Sequence, residues 1–331
     1  MAVATPARKV WAVSDGRAGI AAQVEGLAQA VARRTSAEVT LKRIAYKGGL
    51  GKLPALMNLF PRQALADKGE IAPPWPDIWI AAGRATLPFS IRVKRWSKGK
   101  TLVVQVQDPR LPPHLFDLVI PPGHDRLSGD NVLPIVGSPH RVTPARLAAE
   151  RARFARLVDP WPQPRVAVLI GGTSKAFDLS SERASEIARL VRQGIENAGG
   201  SLFLTFSRRT PRAARSLIAA RLRDLPGVIW DGEGDNPYFA FLGAADHILV
   251  TEDSTNMAAE AASTGKPVHV LKMDGHSEKF ARFHAELQLR GAARPYTGLE
   301  RWTYEPLNET DRAAVEVLRV WESHGADRNH R

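Results

Sequence analysis

The chain of 331 residues contains no cysteine, so a disulfide framework, a thiolate metal site and a cysteine nucleophile are all excluded. It also lacks any run of about eighteen apolar residues, the length that a membrane-spanning helix needs. The apolar segment at residues 10–13 is too short for the core of a signal peptide. We therefore expect a cytoplasmic protein whose chemistry depends on oxygen and nitrogen groups.

The metal-binding spacings are missing as well. The nine histidines include neither an HxH nor an HExxH pattern, and the acidic pair Glu252-Asp253 is not followed by a second carboxylate pair. We therefore expect no metal ion and no other cofactor.

What the chain has in excess is positive charge, and this charge is unevenly distributed. The net charge is +12, and residues 1–150 hold 21 Lys and Arg against 11 Asp and Glu. Two basic runs border apolar residues that could serve as anchors, a pattern that suits the surface of an anionic membrane. A solvated helix face is the alternative, and nucleic acid is disfavoured because no nucleic-acid-binding motif accompanies the charge. The runs are Lys42, Arg43, Lys47, Lys52, Arg62 and Lys68 around residues 53–60, and Arg92, Lys94, Arg95, Lys98 and Lys100 around Trp96.

Short β-branched runs alternate with amphipathic helical patterns along the whole chain. Most of the runs are too continuously apolar to have a wet face, which predicts parallel sheets covered on both sides by helices. We therefore predict an α/β fold with two doubly wound Rossmann-like domains. The predicted strands are residues 9–13, 38–44, 77–82, 101–106, 116–120 and 132–136 in the first domain, and 166–170, 201–206, 228–230, 247–250 and 267–271 in the second.

Three prolines between residues 160 and 164 predict a connector between the domains. We expect a first domain over 1–158 and a second domain over 159–305. Residues 306–331 should form a last helix, which could pack back on the first domain.

Ligands of open parallel sheets bind beyond the carboxyl ends of the strands, and polar loops follow the strands of the second domain. One loop offers small residues, hydroxyls and an ammonium, the next offers two guanidiniums, and the third opens a helix capped by Ser254. Glu260, two turns into that helix, could accept hydrogen bonds from ribose hydroxyls. An ordinary strand-to-helix turn and a solvated helix residue are the alternative interpretations of the first loop and of Glu260. The candidates are Gly171, Gly172, Thr173, Ser174, Lys175, Ser207, Arg208, Arg209, Asn236, Tyr238, Asp253, Ser254, Thr255, Asn256, Met257 and Glu260.

The first domain offers candidates for acid–base chemistry and for acceptor binding. Asp15 begins the loop after the first strand and is a candidate general base, although it could equally cap the following helix. His124 is the better acid or base by its intrinsic pKa. The other candidates, for the acceptor, are Gly16, Gly19, Gln23, Asp108 and Asp125.

Three of these segments together resemble the mitochondrial fission (elongated mitochondria) family, whose members resemble GT-B glycosyltransferases. They are residues 14–19 with Gln23 and 26–28; residues 116–119 with His124 and Asp125; and residues 236–238, 250–254 and 265–268. The resemblance covers residues 10 to 290 and implies a GT-B architecture, two facing Rossmann-like domains with a cleft between them. It implies that the second domain binds the nucleotide-sugar and that the first, membrane-facing domain binds the acceptor. It implies that Gly172, Thr173, Ser174 and Arg208 meet the diphosphate, Glu260 the ribose, and residues 236–238 the base.

One departure from the family pattern concerns the first loop. The family usually has a histidine after the last glycine of this loop, where this chain has Ile20. Either catalysis does not need that imidazole, or Asp15 acts alone, or this member has lost activity.

The expected function is transfer of a sugar from a nucleotide-diphosphate donor to a lipid or envelope-glycan acceptor, at the inner face of the membrane. The alternatives are a membrane adaptor without enzymatic activity that keeps the fold, and a sugar-nucleotide epimerase. The expected partners are the donor, the acceptor and the anionic membrane surface, and not nucleic acid.

Overall fold

The structure is a computed structural model that describes residues 8–48 and 53–329, the side chains as far as 324. The chain divides into two compact units. Unit 1 contains the chain up to Arg141 and again from Asn308, and unit 2 is Val142–Leu307. The division after Arg141 lies earlier than the boundary expected near residue 158. The segment between these positions forms helices that pack within unit 2, so the prolines at 160–164 follow the boundary instead of marking it.

Unit 1 is built on a five-stranded parallel sheet with the strand order β2-β1-β3-β4-β5. Its central strands are entirely buried, as continuous apolar runs predict. The strands are β1 (Lys9–Ser14), β2 (Glu38–Arg43), β3 (Ile78–Ala82), β4 (Leu102–Val106) and β5 (Leu118–Ile120), and the helices are α1 (Ala18–Thr35) and α2 (Leu87–Trp96).

A helix from the far end of the chain completes unit 1. This C-terminal helix (Glu309–Asn329) packs on α1 and buries Ala313, Ala314 and Val317 in the same core as the sheet. Its first turn is fixed to the segment that follows β5, because Glu309 Oε2 accepts a hydrogen bond from the Val136 amide at 3.1 Å.

Unit 2 contains a six-stranded parallel sheet with the order β13-β11-β10-β6-β8-β9, and an antiparallel pair, β7 with β12. The strands are β6 (Arg165–Ile170), β7 (Phe177–Asp178), β8 (Ser201–Phe206), β9 (Gly227–Ile229), β10 (His247–Thr251), β11 (Val268–Leu271), β12 (Asp274–Gly275) and β13 (Ala293–Pro295). The helices are α3 (Pro144–Arg153), α4 (Ala155–Val158), α5 (Ser181–Ala198), α6 (Arg212–Leu222), α7 (Tyr238–Ala244), α8 (Thr255–Ala262) and α9 (Glu278–Leu289), and the C-terminal helix of unit 1 is α10.

Two parts of the sheets differ from the prediction. Residues 132–136 form only isolated bridges, Val119 with Val132 and Pro122 with Ile135, because Pro134 has no amide proton for a strand ladder. The short edge strand β13 was not predicted, since three residues ending in proline carry little periodic signal.

Candidate functional site

The candidate nucleotide-sugar site lies in unit 2, at the carboxyl ends of β6, β8 and β10. These strands are neighbours in the order β10-β6-β8 and run parallel, so the loops that follow them leave the sheet at one edge. The loops are residues 171–176, 207–211 and 252–254. The structure thus brings together three segments that are separated by up to about eighty positions in the sequence.

Asp253, in the third loop, accepts hydrogen bonds from residues of the other two loops and from the end of β10. Its Oδ2 accepts hydrogen bonds from the Gly172 amide at 2.9 Å and from Arg209 Nη2 at 2.7 Å. Its Oδ1 accepts from Thr251 Oγ1 at 2.7 Å. The Asp253 side chain is 0% exposed, and a buried carboxylate requires this complement of donors and opposite charge. Asp253 therefore joins the three loops and does not itself face a ligand.

Gly171 and Gly172 are needed because the loops approach one another so closely. A Cβ on Gly171 would lie 2.1 Å from Asp253 Oδ1, and a Cβ on Gly172 would lie 2.1 Å from the Arg209 carbonyl oxygen. Their amides donate within the protein, to Thr251 Oγ1 at 2.7 Å and to Asp253. These two N–H groups are therefore not the anion donors that the sequence suggested.

The rest of the first loop presents polar groups to solvent. Thr173, Ser174 and Lys175 are all exposed. Thr173 Oγ1 donates to Asp178 Oδ1 at 2.8 Å, and Ser174 Oγ accepts from the Phe177 amide at 3.1 Å. Within the described part of the chain, Lys175 makes no hydrogen bond or ion pair. The loop therefore holds its shape through its own contacts and leaves an ammonium exposed.

The two arginines of the second loop have different roles. Arg209 Nη1 donates to the Gly172 carbonyl at 3.1 Å while Nη2 binds Asp253, so this guanidinium fastens the second loop to the first. Its backbone amide donates to Ser207 Oγ at 3.1 Å. Arg208 is exposed and has no polar partner among the described residues. Arg208 is therefore the guanidinium that can bind an external anion.

The third loop leads into α8 and contains the last group of candidates. Ser254 Oγ accepts from the Met257 amide at 3.4 Å and so caps the helix, with Thr255 and Asn256 half-buried in its first turn. Glu260 Oε2 accepts from the Tyr238 hydroxyl at 2.5 Å. Asn236 contacts the same tyrosine, since its Oδ1 accepts from the Tyr238 amide at 2.9 Å where α7 begins. Residues 236–238 and Glu260 are therefore adjacent.

The sequence analysis did not identify Glu252 and His284, two buried residues that hold the third loop in place. Glu252 is buried, and its Oε1 accepts from the Met273 amide at 2.6 Å. His284 Nε2 lies 2.9 Å from the Glu252 carbonyl oxygen, and burial lowers the pKa of this histidine. A neutral imidazole with its proton on Nε2 can donate to that oxygen. A carboxylate at the end of an apolar strand was the only available sequence signal.

In unit 1, the loop after β1 is closed on itself. Asp15 Oδ1 accepts from the Arg17 amide at 3.1 Å, and Oδ2 accepts from Arg17 Nε at 2.8 Å. Asp15 therefore forms a turn before α1, and no side chain caps that helix. Gly16 has a left-handed φ of +80°, and Gly19 lies exposed in the first turn of α1.

A glycine that the sequence analysis overlooked lies beside this loop. A Cβ on Gly83, after β3, would lie 3.4 Å from Ile20 Cγ2 and 3.5 Å from Asp15 Oδ2. Ile20 and Asp15 therefore border the same point of the sheet edge. The sequence signal for Gly83 was a glycine directly after a buried strand.

The remaining candidates of unit 1 lie along the same edge but at different positions. Gln23 is buried, and its Oε1 accepts from Gln107 Nε2 at 2.9 Å, next to Asp108. His124 is buried and Asp125 half-buried in a short 3-10 turn after β5. Because β3 and β4 separate β1 from β5, Asp15 and His124 lie three strand positions apart, about 14 Å at the usual strand spacing. The structure does not bring the two base candidates together.

Comparison with known proteins identifies the family. The family model for mitochondrial fission ELM1 matches residues 18–321. The chain belongs to the mitochondrial fission ELM1 family. One member of it, the mitochondrial fission protein ELM1 of Arabidopsis thaliana, is 31% identical over 278 residues, which are 76% of this chain and 65% of the plant protein. This chain thus spans less than two thirds of that relative. An uncharacterized protein of Rickettsia prowazekii is 29% identical over 92% of this chain and 96% of its own length.

The structural comparison shows the fold of this ELM1 family member. UDP-GlcNAc 2-epimerase of Methanocaldococcus jannaschii, solved in complex with UDP-GlcNAc and UDP, aligns with a TM-score of 0.56 at 15% identity. The alignment covers 95% of this chain and 99% of the epimerase. The chain therefore has the GT-B type of α/β fold, as the sequence predicted. In the described ranges no helix is both long and apolar enough to cross a membrane, and no cluster of three or more metal-ligating side chains is found.

Proposed function

We propose that this protein is a GT-B glycosyltransferase that moves a sugar from a nucleotide-diphosphate donor to a lipid or cell-envelope glycan acceptor. Unit 2 binds the donor without a metal ion, and unit 1 supplies the base and faces the acceptor. The protein works in the cytoplasm, attached peripherally to the inner face of the membrane.

The observation that carries this proposal is the arrangement around Asp253. One buried carboxylate fixes three loops at one sheet edge, and the exposed cations Arg208 and Lys175 belong to two of those loops. The amino end of α8, where the helix dipole is positive, follows the third. Cations on fixed loops and the positive end of a helix can together neutralise a diphosphate in place of a metal ion.

Glu260 is the proposed ribose ligand. Its carboxylate is half-buried on α8, and the Tyr238 hydroxyl occupies one lone pair of Oε2. A carboxylate is an acceptor-only group that can take several hydrogen bonds at once, which is the chemistry that a pair of ribose hydroxyls requires. The start of α7 at residues 236–238 is next to it and is the proposed contact for the base.

In the proposed reaction the acceptor oxygen forms a bond to the anomeric carbon while the bond from that carbon to the donor phosphate breaks. The acceptor proton passes to Asp15 or His124, and the leaving nucleoside diphosphate takes the bonding electron pair. Arg208 and the amino end of α8 stabilise the charge that develops on this leaving group. The ion pair of Asp15 with Arg17 and the burial of His124 mean that either base must reorient to act.

Two other functions are alternatives to sugar transfer: epimerisation of a sugar nucleotide, and a membrane adaptor without enzymatic activity. The solved epimerase carries UDP-GlcNAc and UDP on the same fold, which favours UDP compounds as first probes and makes epimerisation the second candidate. The presence of Ile20 beside Asp15, where the family pattern has histidine, favours an adaptor that has lost activity but kept the fold.

A screen of nucleotide-dependent thermal stability tests the proposal. A ligand at a hundredfold its dissociation constant should stabilise the native state by about 2.7 kcal/mol, and a UDP, GDP, ADP or CMP compound should do so here. Glu260→Ala should weaken that binding in calorimetry, whereas Glu286→Ala, a half-buried control on α9 that pairs with Arg290, should not. Absence of any shift would favour the adaptor. Analysis of sugar products with and without acceptor lipids then separates transfer from epimerisation.

A further inference from the structure

Unit 1 has an apolar surface that the nucleotide site does not explain. The turns at residues 53–60, which we call the apolar loop, expose four large side chains between 55 and 68%: Leu56, Met57, Leu59 and Phe60. Isolated exposed apolar residues are ordinary, but four within five positions form a contiguous patch. Such a patch indicates a surface that is covered in use.

The apolar loop is fixed to the sheet layer by an arginine of α2. Arg92 Nη1 donates to the Ala55 carbonyl at 3.3 Å and to the Pro88 carbonyl at 2.9 Å, and Nη2 lies 3.5 Å from the Leu56 carbonyl. Burial lowers the pKa of Arg92, with the charge of Arg95 acting in the same direction. Arg92 thus binds the carbonyls of Ala55 and Leu56, while the apolar side chains of the loop are exposed to solvent.

The two basic runs of the sequence meet at this patch. A pocket of about 370 Å³ has Leu59, Phe60 and Trp96 in its lining, together with the cations Arg62, Lys68 and Arg95. Trp96 stacks on Trp75 at 5.6 Å between ring centroids, and Arg62 lies over the Trp75 ring at 5.8 Å. The segment of residues 84–100 contains six basic residues and no acidic one. Lys52, counted in the first run, lies outside the described residues.

We infer that this surface docks on an anionic lipid bilayer, with the apolar loop inserted among the acyl chains and the three cations at the phosphates. The occupant follows from charge complementarity: apolar side chains beside unneutralised cations and a tryptophan pair match the boundary between acyl chains and anionic headgroups. A protein partner would need acidic groups around an apolar core, and two copies of this chain that met through the same patch would bring like charges together. The inference deepens the membrane part of the proposed function and is independent of nucleotide binding.

Sedimentation with vesicles tests the surface on the full chain. The protein should bind vesicles of phosphatidylcholine mixed with phosphatidylglycerol and not vesicles of phosphatidylcholine alone. Because each cation near an anionic surface contributes about fivefold, the triple variant Arg62→Gln, Lys68→Gln, Arg95→Gln should lose about a hundredfold in affinity. A matched variant with the same loss of charge, Arg156→Gln, Arg221→Gln, Arg223→Gln, removes exposed cations of unit 2 and should bind like the wild type. Equal losses in both variants would show general charge attraction and overturn the inference.

Insertion of the loop needs its own measurement, and the absence of cysteine makes it simple. A single Phe60→Cys variant labelled with an environment-sensitive dye should shift its emission to the blue on anionic vesicles, whereas Leu289→Cys, at an 84% exposed position of unit 2, should not. Met57→Ser with Leu59→Ser should reduce binding at least tenfold. An unshifted dye, or unchanged binding of the double variant, would overturn insertion. So would self-association through the patch without vesicle binding, seen as a concentration-dependent mass that the double variant loses.

The result also separates this inference from the proposed function. Vesicle binding without any nucleotide-induced stabilisation would support the surface and contradict the transferase. Nucleotide binding with no preference for anionic vesicles would contradict the surface alone.

Discussion

The Arg209 guanidinium donates from Nη2 to Asp253 Oδ2 at 2.7 Å, and the aspartate side chain is fully buried while the arginine side chain is 44% exposed. The pair thus links the loop after β8 to the loop after β10, with the Gly172 amide as a third member at 2.9 Å. Because the two side chains differ in exposure, loss of the partner should cost the arginine little free energy and the aspartate much more. Water can solvate the guanidinium but not the carboxylate.

Asp253→Asn should destabilise the protein by about 2 kcal/mol, because an amide has only one acceptor oxygen and leaves the buried donor of Gly172 or of Thr251 unpaired. The measurement is urea unfolding followed by tryptophan fluorescence. Asp224→Asn makes the same chemical change in an exposed pair with Arg192 and should leave stability nearly unchanged. Similar effects of the two substitutions would contradict the organising role of Asp253.

Tyr238→Phe should weaken nucleotide binding about fivefold, because the hydroxyl that holds Glu260 Oε2 at 2.5 Å is lost while the ring packing remains. Calorimetry with the nucleotide found in the stability screen measures this change. Tyr304→Phe is the control: its hydroxyl proton is shared between the carbonyl oxygens of Ala262 at 3.0 Å and Lys266 at 2.9 Å, so stability should fall and affinity should not. If affinity fell equally in both, the effect of Tyr238 would be a general loosening of unit 2.

Acid should destabilise the protein through buried histidines. Burial lowers the pKa of His140 to about 4, against a small opposing effect of Asp311, and burial also lowers the pKa of His269 to about 4. The folded state then resists protonation that the unfolded chain accepts near pH 6.5. The contribution of these histidines to stability is therefore constant above that pH and decreases as the pH falls towards about 4.

The loss assigned to His140 should reach about 2 kcal/mol between about pH 7.5 and about pH 5. Denaturant unfolding at the two pH values, in wild type and in His140→Gln, gives the change in free energy of unfolding with pH, and this change should be smaller in the variant. His276→Gln, at an exposed position of unit 2, serves for comparison. A change in His140→Gln as large as that of the wild type would rule out this assignment.

Lys266→Met should destabilise unit 2 by about 2 kcal/mol. The Lys266 ammonium donates to the carbonyls of Leu242 and Gly243 at the end of α7, the latter at 2.8 Å, and so completes the last turn of that helix. Burial lowers the pKa of this lysine to about 8, which means that the same site should gain stability as the pH rises from about 8 towards about 10.5. Thermal unfolding of Lys266→Met and of the exposed control Lys272→Met tests the first statement, and a pH series tests the second. Equal melting temperatures for both variants would contradict the capping role.

The loops of the candidate site show how far residue patterns carry. Gly171 and Gly172 were identified as special because two residues without Cβ follow an apolar strand, and the structure agrees that side chains do not fit there. Their partner was misjudged: the carboxylate of Asp253, about eighty residues away, takes the place expected for an external anion. Sequence spacing carries no information about which of two loops comes to rest against the other. The same limit applies to Arg208 and Arg209, which are chemically equivalent in the sequence and differ only in what each side chain reaches.

Unit 1 shows a second limit. Asp15 and His124 were both plausible bases because each follows a predicted strand, but the strand order separates them by two intervening strands. The order of strands in a parallel sheet depends on how helices cover both faces, which is a property of the whole unit. The early boundary at residue 141 has the same origin, since α3 packs beside α7 where Gly243 allows the backbones to approach.

By itself, the sequence determined the class of the protein: buried apolar strands alternating with amphipathic helices, without cysteine and with cations gathered in the first half, give parallel sheets and a basic unit 1. These are properties of local periodicity and composition, which depend on residues close together in the chain. Only the tertiary structure decided which polar groups are buried as organisers, which stay exposed, and that the two basic runs meet at one apolar loop. Those outcomes depend on contacts between distant segments, where burial sets the cost of a charge and neighbouring loops decide its partner.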